Sequence, residues 1–236
     1  GASIASGGNE NVAIGKDALT ANTTGDANTA VGFSALTANT TGVRNTAVGR
    51  RALVANTTGN DNDAFGRHAL EANTTGSQNV AIGRAALASN TTANGNTAVG
   101  YSSLIVNTTG HSNVAIGEDA LANNTSNEAT AFGYRAGASN TSGVNLTAIG
   151  WKSMESNTSG HHNTAVGIVS LKDNSTGISN TAMGVSALRY NTTGNYNSAF
   201  GHNALFNNTT AAENTAVGYG ALQSNTTGAS NAAFEI

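Results

Sequence analysis

Cysteine and proline are both missing from this 236-residue sequence. The first absence removes disulfides, thiolate nucleophiles and Cys-based zinc sites. Charge is sparse, with 10 Lys and Arg against 13 Asp and Glu for a formal balance of −3. The bases are scattered along the sequence, so the basic stripe that a nucleic-acid partner needs is not read. No apolar run reaches the roughly 18 residues of a membrane-spanning helix, so membrane insertion is not expected, and no signal peptide is read. Little charge with much Asn, Thr, Ser, Gly and Ala is also the composition of disordered chains. Disorder is rejected here because apolar residues return at one fixed phase.

The phase is 17 residues. Asn28 to Arg44 makes one unit, and the next opens with Asn45-Thr46-Ala47-Val48-Gly49. The unit is written about thirteen times, and a short fixed period marks a repeat architecture. A solenoid grows by stacking coils and has no single closed core, so we read residues 1–236 as one repeat domain. Gly1-Ala2-Ser3 falls partway through a unit, which leads us to expect a segment of a longer fibre.

Several marks recur. Ile14, Val31, Val48, Phe65, Ile82 and Val99 hold one position, each preceded by Ala and followed by Gly. Leu19, Leu36, Leu53 and their successors hold a second. The Asn of Asn-Thr-Thr holds a third, at Asn22, Asn39, Asn56, Asn73, Asn90, Asn107 and onward. A helical unit fails on length: between Gly32 and the Asn-Thr-Thr-Gly turn there is room for about two turns, and helices that short are marginal in water. A β coil fits, with a strand at Thr-Ala-Val, a bend at Gly, a second extended piece around Ala-Leu and a turn at Asn-Thr-Thr-Gly. Coils stacked about 4.8 Å apart would make a rod of roughly 60 Å. The fold class expected is therefore all-β, a parallel β-roll or β-solenoid.

Strand neighbours point to opposite faces. With Val31 facing into its own coil, Ala30 faces out, and the row Ala30, Ala47, Ala64, Ala81, Ala98 is expected to pack against sister chains. Each coil offers about two large apolar side chains, worth roughly 1.5–3 kcal/mol each when buried. Ordering the backbone costs about 1–2 kcal/mol per residue. A lone chain is then under-cored, and a homo-oligomer is expected. The Asn ladder is read as stacked amides bonding along the axis. Asn-X-Thr is also a glycosylation acceptor pattern, but only the ladder explains the period. One region departs: spacing falls to 16 between Gly117 and Gly133, Gly137 replaces Leu, and Thr130 and Leu146 are read where Asn is expected, giving an irregular coil near 127–150.

The Asn-Val-Ala-Ile-Gly strands at 11–15, 79–83 and 113–117 resemble the strand of YadA-like heads in trimeric autotransporter adhesins. The longer unit is similar to repeats of bacterial and phage tail-fibre proteins. The resemblance implies a left-handed β-roll, a homotrimer, an extracellular, cell-surface or tail-fibre location, and attachment to a host or target cell through a glycan or protein receptor.

Variable positions after each Gly mark a solvent edge. Tyr134 and Trp151 fall on adjacent coils, each followed by a base, Arg135 and Lys152. Such a group can stack on a sugar and hold an acidic substituent; alternatively the rings cover an edge between chains. His161-His162 invites a metal reading, but His111 in the same phase lies three coils away, about 14 Å, too far for one site. No Ser/His/Asp grouping recurs and no glycine pattern forms a phosphate loop. Neither enzyme activity, nor a cofactor, nor a metal is expected. Two function classes stand: a trimeric adhesive fibre acting as spacer or glycan-binding head, and a monomeric β-solenoid binding module for ice or polysaccharide. A pure structural spacer is the third option.

Overall fold

Thr-Ala-Val segments bounded by Asn and Gly suit short strands, since β-branched residues favour the pleat and the flanking residues favour turns. The computed structural model describes residues 8–235; the partial unit at Gly1-Ala2-Ser3 lies outside them. Among the described residues there are fourteen strands of three or four residues and no helix. The chain forms two compact units, residues 1–114 and 115–236. Each is a β-solenoid.

In the first unit, β1 (Val12–Ile14), β2 (Thr29–Val31), β3 (Thr46–Val48), β4 (Asp63–Phe65), β5 (Val80–Ile82) and β6 (Thr97–Val99) pair in chain order, all parallel. Thr29 lies opposite Thr46, Ala30 opposite Ala47 and Val31 opposite Val48. Each position thus meets its own copy 17 residues on. The ladder continues around the coil. Gly32 N–H donates to Ile14 O at 2.8 Å, Leu36 N–H to Ala52 O at 3.0 Å, and Thr40 N–H to Thr57 O at 2.9 Å. A coil this thin has no other way to satisfy its buried backbone.

The corners are left-handed. Ser34, Leu36 and Arg44 have φ of 53°, 51° and 54°. The piece around Ala35-Leu36, read from sequence as extended, is therefore a turn. A non-glycine residue in this region carries strain of about 1–3 kcal/mol, and the full burial of Leu36 offsets it. Gly49 turns the strand out of the sheet at φ 138°, and a Cβ there would stand 2.5 Å from the Gly66 carbonyl oxygen.

The interior reverses the faces expected from sequence. Ala30, Ala47, Ala64, Ala81 and Ala98 are completely buried within their own chain, while Ile14, Phe65 and Ile82 are 60%, 41% and 42% exposed. The alanines therefore do not face outward toward sister chains. The cause is width. Leu36, Ala35 and two Asn amides already occupy the inside of the coil, so the inward position of the strand admits only a methyl group. Alternation then sends the larger neighbours, Thr29 and Val31, outward.

Two Asn ladders replace the missing bulk. In the first, Asn39 Nδ2 donates to Asn22 Oδ1 at 3.0 Å and to Gly42 O at 3.0 Å. Asn56, Asn73 and Asn90 repeat the link to the preceding Asn at 2.9, 2.8 and 2.7 Å. Asn107 reaches Asn90 at 3.4 Å, and its own buried Oδ1 has no partner among the described residues. The second ladder runs through Asn28, Asn45, Asn62, Asn79 and Asn96, all fully buried.

The second unit contains β8 (Ala129–Phe132), β9 (Leu146–Ile149), β10 (Thr164–Val166), β11 (Thr181–Met183), β12 (Ser198–Phe200), β13 (Thr215–Val217) and β14 (Ala232–Phe234); β7 (Val114–Ile116) lies where the units divide. Ala129, not Thr130, sits opposite Leu146, and Thr130 sits opposite Thr147. The residue replacing Asn is thus Ala129, because the missing residue lies in the preceding turn. Leu146, almost fully buried, fills the space of the second ladder, and without its amides both strands gain one residue of backbone pairing. In the shortened turn, Ser126 Oγ donates to Gly143 O at 2.6 Å. Gly137 takes the left-handed position of Leu at φ 60°, where glycine has no Cβ penalty.

Candidate attachment surface

The outer face of the strands carries two rows in each unit. In the first unit one row reads Ile14, Val31, Val48, Phe65, Ile82, Val99, and the other contains Thr29, Thr46, Asp63, Val80 and Thr97. In the second unit the apolar row includes Phe132, Ile149, Val166, Met183, Phe200 and Val217. Beside it Thr130, Thr147, Thr164, Thr181, Ser198 and Thr215 make an unbroken row of hydroxyls. The face is regular within each unit because each rung repeats the last in register, and Asp63 is the only formal charge among these residues.

The aromatic group anticipated from sequence does come together, within the second unit. Tyr134 and Trp151 stack with centroids 6.4 Å apart and planes 18° apart, and both are exposed. Lys152 Nζ lies 4.8 Å from the Trp151 ring centroid, a cation–π contact. The two bases do not point freely to solvent, however. Arg135 Nε lies 3.1 Å and Lys152 Nζ 3.4 Å from Glu155 Oε1, and Lys172 Nζ lies 3.7 Å from Oε2. Glu155, only 8% exposed, therefore gathers three cations, one of which, Lys152, also lies over the Trp151 ring.

Glu155 and Lys172 escaped the sequence reading, although a signal exists. Arg51 Nε pairs with Glu71 Oε1 at 2.7 Å in the first unit, at the same separation of 20 residues as Arg135 and Glu155. A base two residues past the Gly meets an acid one residue past the Leu position on the next coil. The second Asn ladder also went unassigned. It shares the period and lacks any other mark.

The first threonine of Asn-Thr-Thr has a structural occupation. Thr40 Oγ1 donates to Thr57 O at 3.1 Å, and Thr57 Oγ1 to Thr74 O at 3.0 Å. His161 and His162 make an edge contact at 5.0 Å, and no group of three metal-ligating side chains occurs among the described residues. No helix among them is long and apolar enough to cross a membrane. Comparison with protein-family models, curated proteins and solved structures returned no match.

Proposed function

We propose that this chain is a non-enzymatic segment of an extracellular, cell-surface or tail fibre, in which copies pack side by side and present their edges for attachment to a host or target cell. One observation carries the reading. A row of Val, Ile, Phe and Met points outward from rung after rung, the valines half-buried and the Ile, Phe and Met side chains among them largely exposed, such as Phe65, Ile82, Phe132 and Met183. Monomeric proteins rarely expose contiguous apolar patches beyond a few hundred Å². A partner for such a face must repeat at the rung spacing of about 4.8 Å, and a second copy of the chain does so without adjustment. A trimer and a left-handed coil follow from the resemblance to adhesin heads. Trp151 and Tyr134 then supply a stacking platform for a sugar or protein receptor at the fibre's edge.

The test is the solution mass of the intact chain by light scattering. Three chains are expected, and Val48→Asp with Ile82→Asp should lower the mass while leaving the β circular-dichroism signal. A monomer at all concentrations overturns the assembly. Glycan-array binding that is lost in Trp151→Ala supports the receptor role; binding that survives the substitution removes that ring from it.

The second reading, a lone solenoid with an ice- or polysaccharide-binding face, draws on the regular hydroxyl row from Thr130 to Thr215. A monomeric mass together with thermal hysteresis in freezing assays would favour it over the fibre.

A further inference from the structure

We infer that the first unit carries a linear anion-binding edge for an extended acidic glycan. The residues following successive glycines are Lys16, Phe33, Arg50, Arg67, Arg84 and Tyr101, and all six are exposed. Scattered at intervals of 17 in sequence, they fall into one row because the coils stack in register. At the rung spacing of about 4.8 Å the row extends roughly 24 Å.

The pairing of charges singles this row out. The unit has six bases and six acids. The two bases outside the row are both matched, Arg44 to Asp61 at 2.6 Å and Arg51 to Glu71 at 2.7 Å. The four in the row make no ion pair among the described residues. Arg50, Arg67 and Arg84 occupy consecutive rungs, and like charges directly opposite one another repel. Aromatic faces hold the cations out along the edge. Lys16 Nζ and Arg50 Cζ each lie 5.9 Å from the Phe33 ring centroid, and Arg84 Cζ lies 5.5 Å from that of Tyr101.

An acidic polymer lying along the row relieves that repulsion. Each guanidinium can take a carboxylate or sulfate through a two-pronged hydrogen bond. Phe33 and Tyr101, both exposed, add apolar surface to the row between and beside the cations. A nucleic acid fits less well. The unit's formal charges balance, so it lacks the broad positive field of non-specific nucleic-acid binding, and the cations form one narrow line. The row uses none of the residues of the Tyr134–Trp151 group, which holds the same position after Gly133 and Gly150 in the second unit.

The intact chain is titrated with polygalacturonate, with a sulfated glycosaminoglycan, with a neutral dextran and with single-stranded DNA. Binding to at least one acidic glycan but not to dextran is expected. The carboxylated and sulfated arms tell which anion the row takes. The triple variant Arg50→Gln, Arg67→Gln, Arg84→Gln should weaken binding about tenfold or more and flatten its salt dependence. Arg44→Gln, equal in charge change per site but outside the row, should change affinity less than about twofold. Arg67→Lys, which keeps the charge and loses the fork, should give an intermediate loss and guards against misfolding of the triple variant. The inference is overturned if neither glycan binds, if DNA binds more tightly than both, or if Arg44→Gln weakens binding as much as loss of the row.

Discussion

Asn28 Oδ1 accepts two hydrogen bonds from Asn45, one from the backbone N–H at 3.0 Å and one from Nδ2 at 3.2 Å. The same Nδ2 also donates to Gly59 O at 2.8 Å, so each amide ties together the turns on either side of it. Buried amides are tolerable only when satisfied in this way. Asn45→Ala strands the Asn62 N–H, at about 1–3 kcal/mol for an unsatisfied group, while the Gly59 carbonyl keeps its bond from Asn56 Nδ2 at 3.0 Å. A lower urea midpoint, with faster hydrogen exchange at Asn62 and Thr46, is the expected result. A midpoint within error of the parent would show that water replaces the ladder.

Neighbouring positions on one strand should respond in opposite ways. Ala47 is fully buried, and Ala47→Val adds two methyl groups to a full interior, costing about 1–3 kcal/mol. Val48→Ala, on the outer face, should change the stability of a dissociated chain by no more than about 0.5 kcal/mol. Thermal unfolding in dilute solution measures both. Equal effects would mean that the interior is looser than the burial of the alanines indicates.

Arg44 and Asp61 make a two-pronged pair across adjacent coils, with Nε to Oδ1 at 2.6 Å and Nη2 to Oδ2 at 2.9 Å. The hydrogen bond from Arg44, opposed by slight burial and aided by the guanidinium charge, holds the Asp61 carboxyl below its usual range. Asp61 in turn raises the pKa of Arg44, mainly through the same hydrogen bond. Because the folded carboxyl titrates lower than the unfolded one, its contribution to stability is present above the ordinary aspartate pKa. It is lost as pH falls through the lowered value. An NMR titration of Asp61 should move upward toward the ordinary value in Arg44→Gln. An unmoved titration would assign the shift to something other than this pair.

Some of this fold is legible residue by residue. The recurrence of Ala-Val-Gly and Asn-Thr-Thr-Gly identifies a stacked β coil, because no helix of useful length fits between Gly32 and Asn39. The phase of Tyr134 and Trp151 places the two rings on adjacent coils. Glu155 was not legible as the partner of Arg135, since that contact joins residues 20 apart through the pitch of the coil. The basic row was misjudged for the same reason: Arg50, Arg67 and Arg84 look dispersed until the coils are stacked.

Period, strand class and turn chemistry follow from the order of residues, because local conformational preference and exact repetition act along the chain. Which side of each strand faces inward does not. Alternation divides Thr46, Ala47 and Val48 into two sets, but the choice between them depends on how much room the closed coil leaves. That room is a property of the tertiary structure: once Leu53 and the two amide ladders are inside, a methyl fits and an isopropyl does not. The apolar row and the line of arginines reach the surface as a consequence of that shortage of interior space.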